Sequence, residues 1–252
     1  MEIIIPDIKM FMNFIGAINK IVPSCEFNVG MEKTDVYGQM DNMTIRLLME
    51  TTCMKSSDGN FSFCFQELGK LVKVMNMISS VEKVENIVLQ YNKTFLKYDN
   101  VASFKLKVSK KELIEQYVSE PLAHEITPLY GFRIDNMSLK SIIQQINVVA
   151  TSESKVYISK KNDSVICEIA DKTNPMADSV GMPLSDNIQG EFGEAVILTA
   201  DVFKSLNFLN AGDIEMVYNR NSMGKNLLNV KSMVGDDNTY IKASLICLPV
   251  KN

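Results

Sequence analysis

The sequence predicts an α+β protein of two tandem, similar domains, each with two helices packed on antiparallel sheets. Two observations predict this. Stretches of helical period are few and short while alternating strand-like runs are many, and the order of these elements restarts near the middle of the chain.

The first helical stretch is "IKMFMNFIGAINKIV", which puts Phe11, Phe14, Ile15, Ile18 and Val22 on one face and Lys9, Asn13, Gly16 and Lys20 on the other. The runs "CEFNVGM", "DVYGQMD", "TIRLLMET" and "FSFCF" follow and read as strands divided by polar turns. A second helix, "QELGKLVKVMNMI", presents Leu68, Leu71, Val72, Met75 and Ile78, with Glu67 expected in its first turn. "VENIVLQY", "KTFLKY" and "VASFKLKV" close the first half as strands. The second half opens on "MSLKSIIQQINVVA", with Leu139, Ile142, Ile143 and Ile146 on one face and Ser138 or Asn136 expected as N-cap. Strands "KVYISKK", "SVICEIA", "SVGMPLS" and "AVILTA" follow, then a helix "DVFKSLNFLNAG" capped at Asp201 and stopped by Gly212. "DIEMVY", "KNLLNVKSMV" and "TYIKASLICL" end the chain as strands.

Each half therefore reads helix, about four strands, helix, about four strands. "IGAIN" echoes "IQQIN", "GKLVKVMN" echoes "FKSLNFLN", and "NIVLQY" echoes "DIEMVY", in the same order. Two repeats are too few for a solenoid, so the reading is a first domain 1–107, a connector 108–131 with two prolines and mixed charges, and a second domain 132–252.

Composition narrows the function. The 46% hydrophobic and 22% charged residues are ordinary for a globular protein, and no apolar run approaches the roughly 18 residues of a membrane span. The N-terminus lacks a basic region and a small-residue cleavage site, and the five cysteines are odd in number and form no CxxC. Buried thiols in a reducing compartment, with no membrane association, are expected. His124 is the only histidine and falls in the connector; "ELGK" lacks the glycines of a phosphate loop, and no HExxH, GxSxG or carboxylate-pair signature stands out. No enzyme, no metal and no cofactor is expected, and the sixteen methionines read as core filler.

The charge is partitioned. The chain has 26 basic and 30 acidic residues, yet the four helical windows 8–22, 66–78, 139–150 and 202–211 hold Lys9, Lys20, Lys70, Lys73, Lys140 and Lys204 against one acid, Glu67. The amides Asn13, Asn19, Gln144, Asn147 and Asn207 sit among these lysines, off the apolar faces. A polyanion facing the helices accounts for this, and double-stranded DNA is the expected one. No helix-turn-helix, zinc knuckle or aromatic-basic stripe is present, which leaves phosphate contact without base readout, with Lys9, Asn13, Lys20, Lys70, Lys73, Lys140, Gln144 and Lys204 as DNA-binding candidates.

At this point the sequence resembles the two-domain DNA polymerase sliding clamps typified by proliferating cell nuclear antigen and bacteriophage clamps. The resemblance rests on "YGQMDNMTIRLL", "FCFQELGKLVKVM", "LTADVFKSLNFL" and "LICLPVKN", in that order. It implies the DNA clamp fold, a ring of three chains head to tail, and twelve helices around duplex DNA. It implies a subunit interface between "VASFKLK" and "SVGMPLSD", carried by Val101, Phe104 and Leu106 and by Val180, Met182 and Leu184. It implies docking of a DNA polymerase and a clamp loader at Met40, Ile45, Leu47, Ile126, Pro128, Leu248 and Pro249. "SLIC" replaces the tyrosines of cellular clamps near the C-terminus, which tilts the reading to a viral or phage clamp. The implied place is the cytoplasm, the host's for a phage protein, or a nucleus or viral factory otherwise. Two rival readings stand beside this one: a monomeric clamp-like processivity factor that never closes, and a scaffold of duplicated domains that binds no DNA.

Overall fold

The computed structural model describes the chain except residues 41–44, 83, 110–125, 175, 194, 210–212, 222–225, 237, 248 and 250–252, and the side chains of Ile126 and Asn221. His124, Leu248 and most of the expected connector lie outside the described residues.

Packing divides the chain into two units, Met1–Glu120 with Met233–Ala243, and Pro121–Ser232 with Ser244–Asn252. The expected second domain, 132–252, is thus cut: its stretch 233–243 packs with the first unit. The first half of the chain runs β1 (Glu2–Ile5), α1 (Ile8–Ile21), β2 (Cys25–Val29), β3 (Thr34–Gln39), β4 (Ile45–Thr51), β5 (Lys55–Ser56), β6 (Phe61–Phe65), α2 (Leu68–Glu82), β7 (Ile87–Tyr91), β8 (Phe95–Asp99) and β9 (Ser103–Lys107). The second half runs β10 (Ile126–Ile134), α3 (Asn136–Val149), β11 (Lys155–Lys161), β12 (Ser164–Ala170), β13 (Val180–Ser185), β14 (Ile188–Gly190), β15 (Val196–Thr199), α4 (Ala200–Ser205), β16 (Ile214–Asn221), β17 (Asn226–Gly235) and β18 (Tyr240–Cys247).

The repeat extends to topology. Strand order β5-β1-β7-β8-β9 in the first half recurs as β14-β10-β16-β17-β18, and β4-β3-β2-β6 recurs as β13-β12-β11-β15. Each half also opens with a strand that the sequence reading lacked. In β1 only Ile3 and Ile5 turn inward before Pro6, a run too short to read as a strand alone. In β10, Pro128 and Gly131 break the alternation, so Ile126–Gly131 reads as connector although it pairs with β16 through a bulge between Pro128 and Tyr130.

The apolar faces of the helices make the cores. In α1, Phe11, Phe14, Ile15 and Ile18 are buried, as is Val22 just past its end. In α2 the buried set is Leu68, Leu71, Met75 and Ile78, and in α3 it is Leu139, Ile142 and Ile146; Val72 and Ile143, expected on these faces, are only half-buried at their margins. Phe27 of β2 centres an aromatic cluster, 5.2 Å from Phe63, 6.1 Å from Phe65 and 6.4 Å from Phe14 between ring centroids. All five cysteines are buried and none is in a disulfide, and burial pushes the thiols of Cys53, Cys167 and Cys247 up to about 12.

Four expectations about helix ends are corrected. The N-cap of α3 is Asp135, not Ser138 or Asn136: its carboxylate accepts the Ser138 N–H at 2.9 Å and the Ser138 hydroxyl at 2.6 Å. The N-cap of α4 is Thr199, whose hydroxyl accepts from Val202 N–H at 3.3 Å, which places Asp201 inside the first turn. That helix stops at Ser205, because Leu206 and Phe208 are both buried and two residues apart, a spacing no single helix face provides. Glu67 precedes α2 rather than lying in its first turn. Among the described residues, no helix is long and apolar enough to cross a membrane, and no group of three or more His, Cys, Asp or Glu could hold a metal ion.

Phe27→Ala should lower unfolding free energy by about 3–5 kcal/mol, since it opens a cavity beneath three rings. Asp135→Ala should cost about 1 kcal/mol. Denaturant midpoints of the two variants check both values.

Candidate nucleic-acid and subunit surfaces

The helices position the candidate lysines by leaving one stripe of each outside. Lys9, Asn13 and Lys20 are exposed on α1, Lys70 and Lys73 on α2, and Lys140 and Gln144 on α3. Two of the six lysines have a countercharge close by. Lys70 forms an ion pair with Glu67, and Lys204, half-buried on α4, lies 4.0 Å from Asp201. Lys9, Lys20, Lys73 and Lys140 have no carboxylate partner among the described residues, and so carry the undiminished positive charge of these faces. Exposed apolar side chains share the stripes: Met77 and Val81 on α2, Met137 and Val148 on α3.

The second feature is a set of sheet edges. The outer edge of β4 is covered by β18. There, Tyr240 N–H donates to the Thr52 hydroxyl at 3.0 Å, and Thr52 N–H and the Thr51 hydroxyl donate to Tyr240 C=O at 3.2 and 2.8 Å. Glu50 of β4 accepts the Tyr240 hydroxyl at 2.7 Å and is bonded to Lys33, with Lys242 3.9 Å away. The Lys33 hydrogen bond, seconded by that of Tyr240, holds the Glu50 carboxyl below its usual range.

Of the six strands that end a sheet among the described residues, β5, β6, β9, β13, β14 and β15, only β9 and β13 differ from their counterparts in the other repeat, β18 and β4, which are paired on both sides. β9 pairs only with β8, and β13 only with β12. Beyond β9 the chain turns in, where Ser109 N–H donates to Cys64 C=O at 2.8 Å. The start of β9 is set by α2: Glu82 in its last turn accepts the Tyr98 hydroxyl, Asn100 Nδ2 at 3.1 Å and Ala102 N–H. The candidate interface residues divide accordingly. Phe104, Leu106, Val180 and Met182 are half-buried on these edge strands; Val101, 81% exposed, lies in the turn before β9. Leu184 is corrected: only 3% exposed, it is core of its own unit and offers no surface to a neighbour.

The partner-docking candidates are not all surface residues either. Met40 is half-buried, but Ile45 and Leu47 are 0% and 1% exposed, because they face inward from β4 into the core. Pro249 is half-buried. Pro128 lines a cleft of about 450 Å³ with Leu129, Tyr130, Glu191, Tyr218 and Arg220. In its wall Tyr130 stacks on Phe192 at 3.9 Å and on Tyr218 at 5.0 Å. The sequence reading missed this aromatic stack and the Glu82 contacts, since their partners lie far apart in the chain.

The chain matches no protein-family model and no curated protein sequence. Its structure does have counterparts. Proliferating cell nuclear antigen (PCNA) from Thermococcus kodakaraensis is similar with a TM-score of 0.74 at 14% identity, covering 99% of both chains. A. fulgidus PCNA, solved with the C-terminal region of FEN-1, is similar with a TM-score of 0.73 at 11% identity, covering 100% of this chain and 98% of that one. The chain has the two-domain DNA-clamp fold. A clamp structure from Sulfolobus tokodaii, a PCNA2–PCNA3 complex, is similar with a TM-score of 0.71 at 9% identity over 99% of both chains.

The Tyr98 hydrogen bond, with those from Ala102 and Asn100, holds Glu82 below the usual carboxylate range. A depressed folded-state value means that its contribution is complete above the unfolded value of about 4.5 and is lost as pH falls through the lower folded value. Hydrogen exchange at Ala102 N–H should therefore accelerate relative to the β7 amides as pH is lowered below about 4.5, after correction for intrinsic exchange. In Glu82→Ala the same amide should exchange fast at every pH.

Proposed function

We propose that this chain is a DNA sliding clamp, a ring of three copies that encircles duplex DNA without reading its sequence and tethers a DNA polymerase and other replication proteins. The observation that carries the reading is the pair of unmatched edges on a clamp fold. Each repeat builds the same two sheets, one copy of the β4-type edge is covered by β18, and the counterparts of those two strands, β13 and β9, remain open. Pairing β9 of one copy with β13 of the next repeats an existing arrangement. It is head to tail, and so closes into a ring when the rotation permits.

Scattered lysines suit a clamp. They attract phosphates diffusely, and that attraction changes little from one base pair to the next, so DNA is retained and can still move. The acidic residues outnumber the basic ones outside the helical windows, and that balance discourages DNA elsewhere. Two structures support partner docking and self-association: the A. fulgidus PCNA was solved with a FEN-1 segment, and the S. tokodaii chain with a second clamp chain. For this chain we place peptide docking at the cleft beside Pro128, and not at Ile45 or Leu47.

Light scattering should give about 85 kDa, three chains of 28.3 kDa. A monomer at every micromolar concentration would remove the closed ring and favour the monomeric rival. On covalently closed DNA, Lys9→Ala, Lys20→Ala, Lys73→Ala and Lys140→Ala should each weaken retention, and each lost phosphate contact should reduce the slope of log K against log salt by roughly 0.9. Lys70→Ala and Lys204→Ala should have smaller effects, because neighbouring carboxylates offset their charge. Lys161 of β11 and Lys231 of β17, exposed on strands, are controls; equal effects there would make the helix faces ordinary solvated surface.

A further inference from the structure

We infer that a cleft at the end of β9 receives the turn before β13 of a second copy, with Met176 as its apolar anchor and Asp178 facing Lys107. This rests on the proposed ring and says what latches its seam.

The cleft measures about 450 Å³ and is walled by Phe65, Leu106 and Val108, with Glu67, Lys70 and Lys107 at its rim. Glu67 and Lys70 neutralise one another in an ion pair, whereas Lys107 is exposed with no carboxylate partner among the described residues. The cleft is therefore apolar inside with one uncompensated positive charge at its mouth.

Strand direction says what would come to it. On the covered edge, the first residue of β18, Tyr240, meets the end of β4 at Thr51 and Thr52, so the two strands run antiparallel. β9 holds in its sheet the place of β18, and β13 holds that of β4. Transposed to the open edges, the start of β9 meets the end of β13, and the end of β9, at Lys107 and Val108, comes near the start of β13. The residues just before Val180 then lie over the cleft.

Those residues are built to present a side chain. Asp171 accepts the Thr173 N–H at 2.9 Å, Asn174 Oδ1 accepts the Met176 N–H at 3.0 Å, and Asn174 C=O accepts the Ala177 N–H at 3.0 Å. Held by these bonds, Met176 is 90% exposed, the highest value among the large hydrophobic residues of the described chain. Asp178, two residues on, is exposed and has no cationic partner among the described residues. A lone exposed methionine is unremarkable in itself. Here, a preorganised turn, an adaptable thioether and a carboxylate meet an apolar cleft and an unpaired lysine at the position that strand pairing dictates.

The test measures assembly of the full chain by light scattering across concentration. Lys107→Glu and Asp178→Lys should each raise the dissociation constant roughly three- to tenfold, and the chain carrying both should recover wild-type assembly. Met176→Glu should weaken assembly while the thermal midpoint at concentrations where both chains are dissociated stays unchanged, as its site in the separate chain is exposed. Under mild oxidation, a chain with Lys107→Cys and Asp178→Cys should give covalent dimers and trimers on a non-reducing gel, and the single-cysteine chains should not. A wild-type chain that is monomeric throughout would overturn the ring itself. A wild-type trimer that ignores all these substitutions and forms no cross-links would overturn this docking and leave the ring standing.

Discussion

A strand at the edge of a sheet presents N–H and C=O groups that must find a partner or stay hydrated, and this requirement organises the chain. The duplicated unit makes two sheets, and therefore edges that recur in pairs. One such edge, that of β4, is covered by β18 and secured by the hydrogen bonds of Thr51, Thr52 and Tyr240 around Glu50. Its counterparts in the other repeat, the edges of β9 and β13, stay open, and their chemistry is selective. Exposed lysines on β9 and a proline within β13, which lacks a donor, discourage indiscriminate pairing of like edges. They still permit one complementary partner.

The helices answer a different demand. Their apolar stripes close the cores, and the stripes left outside carry lysines that contribute little to stability, since exposed surface positions usually shift it by under about 0.5 kcal/mol. Stability and charge are thus placed on opposite sides of the same short helices. Selection on a polyanion contact can act on Lys9, Lys73 or Lys140 without disturbing Phe14, Met75 or Ile142.

Much of this was legible in the sequence where periodicity is strong. The core faces of α1, α2 and α3, the internal repeat and the strands later found at open edges can be read from apolar spacing alone. The failures have local causes. Asp135 and Thr199 compete with nearby polar residues as caps, and only backbone geometry decides among them. β10 is hidden by Pro128 and Gly131. Leu47 and Leu184 look like surface anchors, yet they face inward, because alternation on a strand fixes two faces without saying which is outside. Contacts such as Glu82 with Ala102, or Glu50 with Tyr240, join residues 20 and 190 positions apart and leave no short-range signature.

The cysteines have a practical consequence. All five are buried, and for Cys53, Cys167 and Cys247 burial holds the thiol near 12, so almost no thiolate exists at neutral pH. Maleimide and similar reagents attack the thiolate of an accessible sulfur. The native chain is therefore close to silent toward them. A fluorophore or spin label can be attached at one introduced surface cysteine without first removing the natural ones. Distances between copies, or the opening of a ring, then become accessible to spectroscopy in a protein whose core is left intact.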